Sequence, residues 1–282
     1  MNEAQQLLHQ AKWRIIDQTC LGPQFGALQS FGMDDTLCAS VGTGAQPATA
    51  RAWVHHNTVV LGIQDTKLPF LQDGLQYLEE QGYSYIVRNS GGLAVVLDEG
   101  VLNLTLALPE KEKGIEINRG YEAMWQLIKQ MFADFMSKGH KIEAYEITES
   151  YCPGSYDLSI AGKKFAGISQ RRLKNGVAVQ IYLCVTGSGS ERAELIKNFY
   201  EKSKKGESTK IKYPDISPDV MASLSELFGV NLTVADCLMR FLKSIQALGG
   251  QIYSGQLTEE EVPLFSDYYD RVVLRNQKML TT

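Results

Sequence analysis

No stretch of this chain approaches the roughly 20 consecutive apolar residues that would span a bilayer. The first ten residues are polar and lack the apolar centre of a secretory leader. Long basic runs are missing too, and a net charge of −4 argues against nucleic acid as the main partner. Cysteine is scarce and scattered. The five residues, Cys20, Cys38, Cys152, Cys184 and Cys237, form neither a metal-type pair nor a disulfide framework. Of the four histidines only His55 and His56 are adjacent, and neighbours on a strand face opposite ways, so the sequence reads as a turn rather than a metal site. These absences describe a cytoplasmic protein of a reducing compartment, without metal or membrane partner, in which a free cysteine can act as a thiol.

What is present is ordinary globular material. The 282 residues, 44% hydrophobic and 21% charged, suffice for one large domain or two small ones, and no repeat is visible. Apolar spacing predicts a strand over 13–16, a helix over 25–41, and strands over 50–54 and 58–63 around a His55-His56-Asn57 turn. A helix over 70–81 ends at Gly82 and a strand over 83–87 follows. The strand over 101–108 puts Leu102, Leu104, Leu106 and Leu108 on one face, and a charged loop covers 110–113. The helix over 120–136 ends at Gly139, before a strand over 142–147. Strands over 156–160, 163–173 and 177–185 come next, then a helix over 191–200 and a polar linker over 202–212. The remainder reads as helical, with starts at Ser217-Pro218, at a capping box from Thr233 to Asp236, and at another from Thr258 to Glu261. Alternating strands and helices imply an α+β fold: a mixed sheet with packed helices. The expected arrangement is a single domain over 1–282, with the sheet core over 12–200 and C-terminal helices over 215–280 packed on it.

Two stretches carry candidate chemistry. In Arg88-Asn89-Ser90-Gly91-Gly92, a pair of glycines after a strand lets the backbone pass close to a ligand, although an ordinary turn explains it equally well. In 150–172, Cys152 precedes a Pro-Gly turn, and an Ala161-Gly162 hairpin folds Lys164 back toward it. A positive charge beside a thiol favours the thiolate, which is the nucleophile. On residue chemistry alone, a small buried cysteine and a solvated strand lysine are the simpler account. Cys38, Cys184 and Cys237 lie in predicted elements and read as core.

The run Tyr156-Asp157-Leu158 with Gly162-Lys163-Lys164-Phe165-Ala166-Gly167 resembles the lysine-bearing hairpin of the biotin/lipoate protein ligase superfamily, in its cysteine-dependent octanoyltransferase branch. Arg51, Trp53, Gly62 and Gln64 resemble part of that family's Arg-x-Trp and Gly-x-x-Gln pattern, and 88–98 resembles its glycine loop. The resemblance implies the α+β catalytic fold of biotin and lipoate protein ligases. It implies Cys152 as nucleophile and Lys164 as its activating and oxyanion-holding partner, with Lys163 turned away. Arg88, Asn89, Ser90, Gly91, Gly92, Asp98, Ala166 and Gly167 become the substrate-binding set, in which Ala166 and Gly167 leave room for an acyl chain beside the lysine.

The implied donor is the octanoylated H protein of the glycine cleavage system, the implied acceptors are lipoyl domains of 2-oxoacid dehydrogenases, and no cofactor is needed. Octanoyl on acyl carrier protein is an alternative donor. An ATP-dependent lipoate ligase and a non-catalytic lipoyl-domain binder are alternative identities. Against the ligase stands Leu97, where the family pattern has histidine: it removes a polar group and makes the pocket more apolar.

Overall fold

The computed structural model describes residues 3–110 and 116–280, so all of the expected charged loop except Glu110 lies outside the described residues. The described elements run α1 (Glu3–Leu8), β1 (Lys12–Gln18), α2 (Ala27–Gly42), β2 (Thr49–Trp53), β3 (Thr58–Leu61), α3 (Leu71–Glu80), β4 (Ser84–Val87), β5 (Val95–Leu97) and β6 (Val101–Pro109). They continue with α4 (Ile117–Met131), α5 (Ala133–Met136), β7 (Ile142–Ala144), β8 (Asp157–Ile160), β9 (Lys163–Leu173), β10 (Gly176–Cys184) and α6 (Gly189–Lys204). The last are α7 (Leu224–Phe228), α8 (Val234–Ala247), β11 (Gln251–Ser254) and α9 (Glu261–Leu280).

Eight strands form one mixed sheet in the order β11-β1-β2-β6-β10-β9-β8-β7, and β4-β3-β5 form a second. Strict alternation along the central strands sorts their side chains. Leu102, Leu104, Leu106 and Leu108 of β6 join Val177, Val179, Ile181 and Leu183 of β10 in a core under α1, α4 and α8. The opposite faces of the same strands carry Asn103, Thr105, Gln180 and Tyr182, which look toward α2 and the small sheet. One face is therefore a plain hydrophobic core, and polar side chains collect on the other.

The predicted strands and helices up to Cys184 are found, with instructive differences. The strands on either side of the histidine turn do not pair: β2 belongs to the large sheet and β3 to the small one. His55 is buried, bonded to Phe25 O (3.0 Å) and Ser30 Oγ (2.9 Å), while His56 meets Glu99 (2.8 Å). Burial, aided by Arg51, pushes His55 down to about 3 and keeps it neutral. The helix expected over 120–136 breaks at Phe132 into α4 and α5, which brings Phe135 onto Phe228 with rings 4.0 Å apart. Pro218 opens only one turn of 3₁₀ helix, and the helix that follows starts instead at the Ser223–Glu226 capping box.

The remainder of the chain is not wholly helical. β11 pairs in parallel with β1 at the sheet edge. Its side chains are mostly exposed, so no buried face left a period-two signal in the sequence. The Thr258–Glu261 box is half used: Glu261 accepts the Thr258 N–H (3.0 Å) but also takes both ends of the buried Arg14 guanidinium (2.6 and 2.8 Å).

That fork joins β1 to the start of α9 with both partners out of water. Arg14→Met should therefore cost about 3–5 kcal/mol, because Glu261 is left charged and buried. The double variant Arg14→Met/Glu261→Met should lose less than the single one. Urea denaturation of both proteins tests this, and a double variant less stable than the single would place the contribution in the bond Glu261 accepts from the Thr258 N–H instead.

Candidate active site

The site is assembled by the β8–β9 hairpin. Ala161 (φ 50°) and Gly162 (φ 77°) make its left-handed two-residue turn. Ser159 pairs with Lys164 and Leu158 with Ala166, so Phe165 is an extra residue on β9. This bulge overturns the expected alternation. Phe165 and Ala166 both enter the core under α4, while Lys164 stays on the opposite face with Asp157 and Ser159. Ala166 therefore does not border the site, whereas Gly167 does.

Lys164 is fully buried, and its ammonium faces four acceptors: Ser150 Oγ (3.0 Å), Tyr151 O (2.9 Å), Cys152 O (2.8 Å) and Asp157 Oδ1 (2.9 Å). Asp157 in turn accepts the N–H groups of Ile147 and Gly154, each at 3.1 Å. Burial raises the Asp157 carboxyl, and the adjacent ammonium opposes that rise. The cysteine loop is thus tied at both ends by the carboxylate and in the middle by the lysine. In that grip Cys152 adopts φ 47°, a left-handed conformation rare for a residue with a Cβ.

The group on the sulfur is not the lysine. Cys152 Sγ accepts from Arg88 Nη2 (3.2 Å) and from the Leu93 N–H (3.1 Å). Arg88 also donates to Leu93 O. The glycine loop is folded tightly to permit this. Gly92 has φ 110°, and a Cβ on it would meet the Arg88 guanidinium at 2.2 Å and the Cys152 sulfur at 2.9 Å. Behind it the fully buried Asp65 accepts the Gly62 N–H (2.7 Å) and the Tyr200 hydroxyl (2.9 Å), and Tyr200 accepts the Ala94 N–H (3.3 Å). Burial outweighs these donors and pushes Asp65 up to about 6. Asn276 of α9 brackets both main-chain groups of Val87, at 2.6 and 2.9 Å, and so fixes the strand end that presents Arg88.

Cys152 opens into a cavity of about 320 Å³ whose apolar walls include Phe31, Trp53, Val60, Val95 and Leu97. Arg88, Ser90, Gly91, Gly92 and Gly167 of the expected substrate set line it. Asn89 does not: its amide is bonded to Asp35 of α2 (2.8 Å). Nor does Asp98, which lies beyond the end of β5 and pairs with Arg192 of α6 (2.6 Å). Leu97 does border the cavity and adds apolar surface, as its sequence position implied. Lys163 is exposed, while Cys38, Cys184 and Cys237 are fully buried. Burial raises all three of those thiols, Cys38 and Cys237 to about 12. Sequence reasoning missed the roles of Asp157, Leu93, Asp65, Tyr200 and Asn276. Only Asp157 had a signal, its place in the Tyr-Asp-Leu run. Among the described residues no three His, Cys, Asp or Glu side chains gather as a metal ion would require.

A fold of this kind is already known. Residues 27–246 match the family described as lipoyl protein ligase A/B catalytic domain. A Bacillus velezensis protein named octanoyl-[GcvH]:protein N-octanoyltransferase is 59% identical over 98% of this chain and 96% of its own. A Listeria monocytogenes protein named lipoyl-[GcvH]:protein N-lipoyltransferase is 55% identical over the full length of both. Among solved structures, a lipoate-protein ligase A bound with ATP superposes with a TM-score of 0.66 at 16% identity, over 93% of this chain and 94% of that one.

Two outcomes follow from this geometry. Arg88→Met should slow iodoacetamide alkylation of Cys152 at neutral pH by about tenfold or more, since a hydrogen bond to a charged group contributes about 1.5–3 kcal/mol. Lys164→Met should act first on stability, because Asp157 keeps a buried charge without its partner. A slowed Lys164→Met beside an unaffected Arg88→Met would return the thiolate role to the lysine. The second outcome concerns Asp65. A carboxyl raised above the ~3.9 of an unfolded chain stabilises the fold fully below about pH 4, and that stability is lost as pH rises through about 6. Asp65→Asn should flatten the dependence of unfolding free energy on pH in that window, as read by urea titrations at several pH values.

Proposed function

The chain belongs to the lipoyl protein ligase A/B catalytic family, and on that premise we propose that it is a protein N-octanoyltransferase whose donor is the octanoylated glycine cleavage H protein. The acceptors are lysines of lipoyl domains in 2-oxoacid dehydrogenase complexes, and the acyl group travels as a thioester on Cys152. The chain works as one catalytic domain in the cytoplasm. The observation that carries this reading is the Cys152 sulfur at an apolar cavity, with a guanidinium and a main-chain N–H directed at it.

The chemistry follows from those contacts. The Cys152 sulfur, with Arg88 and the Leu93 N–H directed at it, attacks the carbonyl carbon of octanoyl-lysine as the thiolate while the alkyl chain lies among Trp53, Val60, Val95 and Leu97. Collapse breaks the C–N bond, and the departing amine carries the proton given up by the thiol: amide plus thiol become thioester plus amine. An acceptor lysine then reverses these steps. The engagement of the Lys164 ammonium with Ser150, Tyr151, Cys152 and Asp157 supports a role other than proton donor. The lysine positions the loop instead. One octanoyl-lysine amide replaces another, so the exchange is close to thermoneutral and needs no ATP.

The name of the Listeria relative supports a second reading with the same chemistry, in which lipoyl rather than octanoyl is moved. Intact mass after incubation with octanoylated or lipoylated H protein, without ATP or magnesium, separates the two. The expected result is a gain of one octanoyl group, mapped to Cys152. Cys152→Ala should gain nothing, transfer nothing to a lipoyl domain, and stay folded. Full transfer by this variant, or acyl mass on Cys20 instead, would end the thioester reading.

A further inference from the structure

Three side chains that line the cavity beside Cys152 are more than nine-tenths buried and carry a polar atom with no partner among the described residues: Arg88 Nε, Ser90 Oγ and the Tyr182 hydroxyl. Buried donors are nearly always satisfied, so a cluster of orphans marks the place of a polar group that arrives with the substrate. Arg88 is already engaged at the sulfur, and Ser90 rides on the glycine loop. Tyr182 differs in being fixed to a central strand.

Tyr182 lies on β10 opposite Gly167, and Gly167 lies opposite Asp157. Because position 167 has no side chain, the phenol leans across it. A Cβ there would stand 2.8 Å from Cε1 and 3.4 Å from the hydroxyl oxygen. The ring also stacks on Tyr151 at 6.0 Å, the residue just before the nucleophile. The phenol thereby lies over Gly167, in the cross-strand row that ends at Asp157. Burial holds this phenol well above its ordinary range, so the proton stays on oxygen as a donor. The glycine expected to leave space for an acyl chain leaves space for this ring.

We propose that the Tyr182 hydroxyl is the donor that holds the acyl carbonyl oxygen while negative charge develops on it, in transfer to and from Cys152. Resting on the thioester reading above, this makes Tyr182 a catalytic residue. Attack forms the C–S bond and moves the carbonyl π pair onto oxygen, where the phenol O–H meets it. Collapse restores the C=O, breaks the C–N bond and sends the amine away with the former thiol proton. The reverse step crosses the same oxyanion, so the same donor serves both halves of the reaction.

Tyr182→Phe keeps the ring over Gly167 and removes only the hydroxyl. In single-turnover experiments with octanoylated H protein, acylation of Cys152 should fall by about 10²–10³-fold, and discharge of the acyl-enzyme onto a lipoyl domain should fall alike. Iodoacetamide alkylation of Cys152, which involves no carbonyl oxygen, should stay within about twofold of the parent. Acylation within about threefold of the parent would overturn the proposal. So would a matching loss of alkylation, which would make Tyr182 a support of the cysteine loop. A parent protein that gains no octanoyl group at all would instead remove the thioester reading, and this proposal with it.

Discussion

The buried ammonium of Lys164 is the constraint on which the site depends. It has left water entirely, and the cost of that burial is offset only because a carboxylate, a hydroxyl and two carbonyls surround it. Two of those acceptors are the carbonyls of Tyr151 and Cys152. Satisfying the charge therefore fixes the main chain at Cys152, including its left-handed turn. Without the bulge at Phe165, the same lysine would point into the opposite core, where the described neighbours are apolar.

Two cations thus divide the work. Lys164 acts on the backbone of the cysteine loop, and Arg88 acts on the sulfur. The Leu93–Ala94 peptide is gripped from both ends, its carbonyl by Arg88 and its N–H by Tyr200, which Asp65 holds in turn. The Leu93 N–H is aimed at the sulfur by that grip. Such a preorganised set of donors stabilises charge without needing to move when the charge appears.

Distant parts of the chain complete the arrangement. The segment before α7 runs beside β9, where the Ala222 N–H donates to Lys164 O (3.0 Å). Asn276 fixes the end of β4, and the Arg14–Glu261 fork fixes the start of the helix that carries Asn276. The C-terminal third is therefore coupled to both walls of the cavity, and damage to it should reach the site through Arg88 and Lys164.

Much of this was legible in the amino-acid sequence. Period-two and helical spacing fixed β6, β10, α3 and α8, because each sets a row of apolar side chains against a core and such a row leaves a pattern. The likeness of 150–172 to a known hairpin singled out Cys152 and Lys164, and Leu97 foretold an apolar cavity. Other features left no local trace. β11 is an edge strand held by its backbone, and the Phe165 bulge is a matter of register between two strands, so neither alters the composition of its segment. Asn89, Asp98 and Ala166 sit in the right motifs but face Asp35, Arg192 and the core. A motif names residues and not directions. Which cation meets the sulfur was decided by the tertiary structure alone: Arg88 and Cys152 are 64 positions apart in the chain, and only the packing of the small sheet against the large one brings them together.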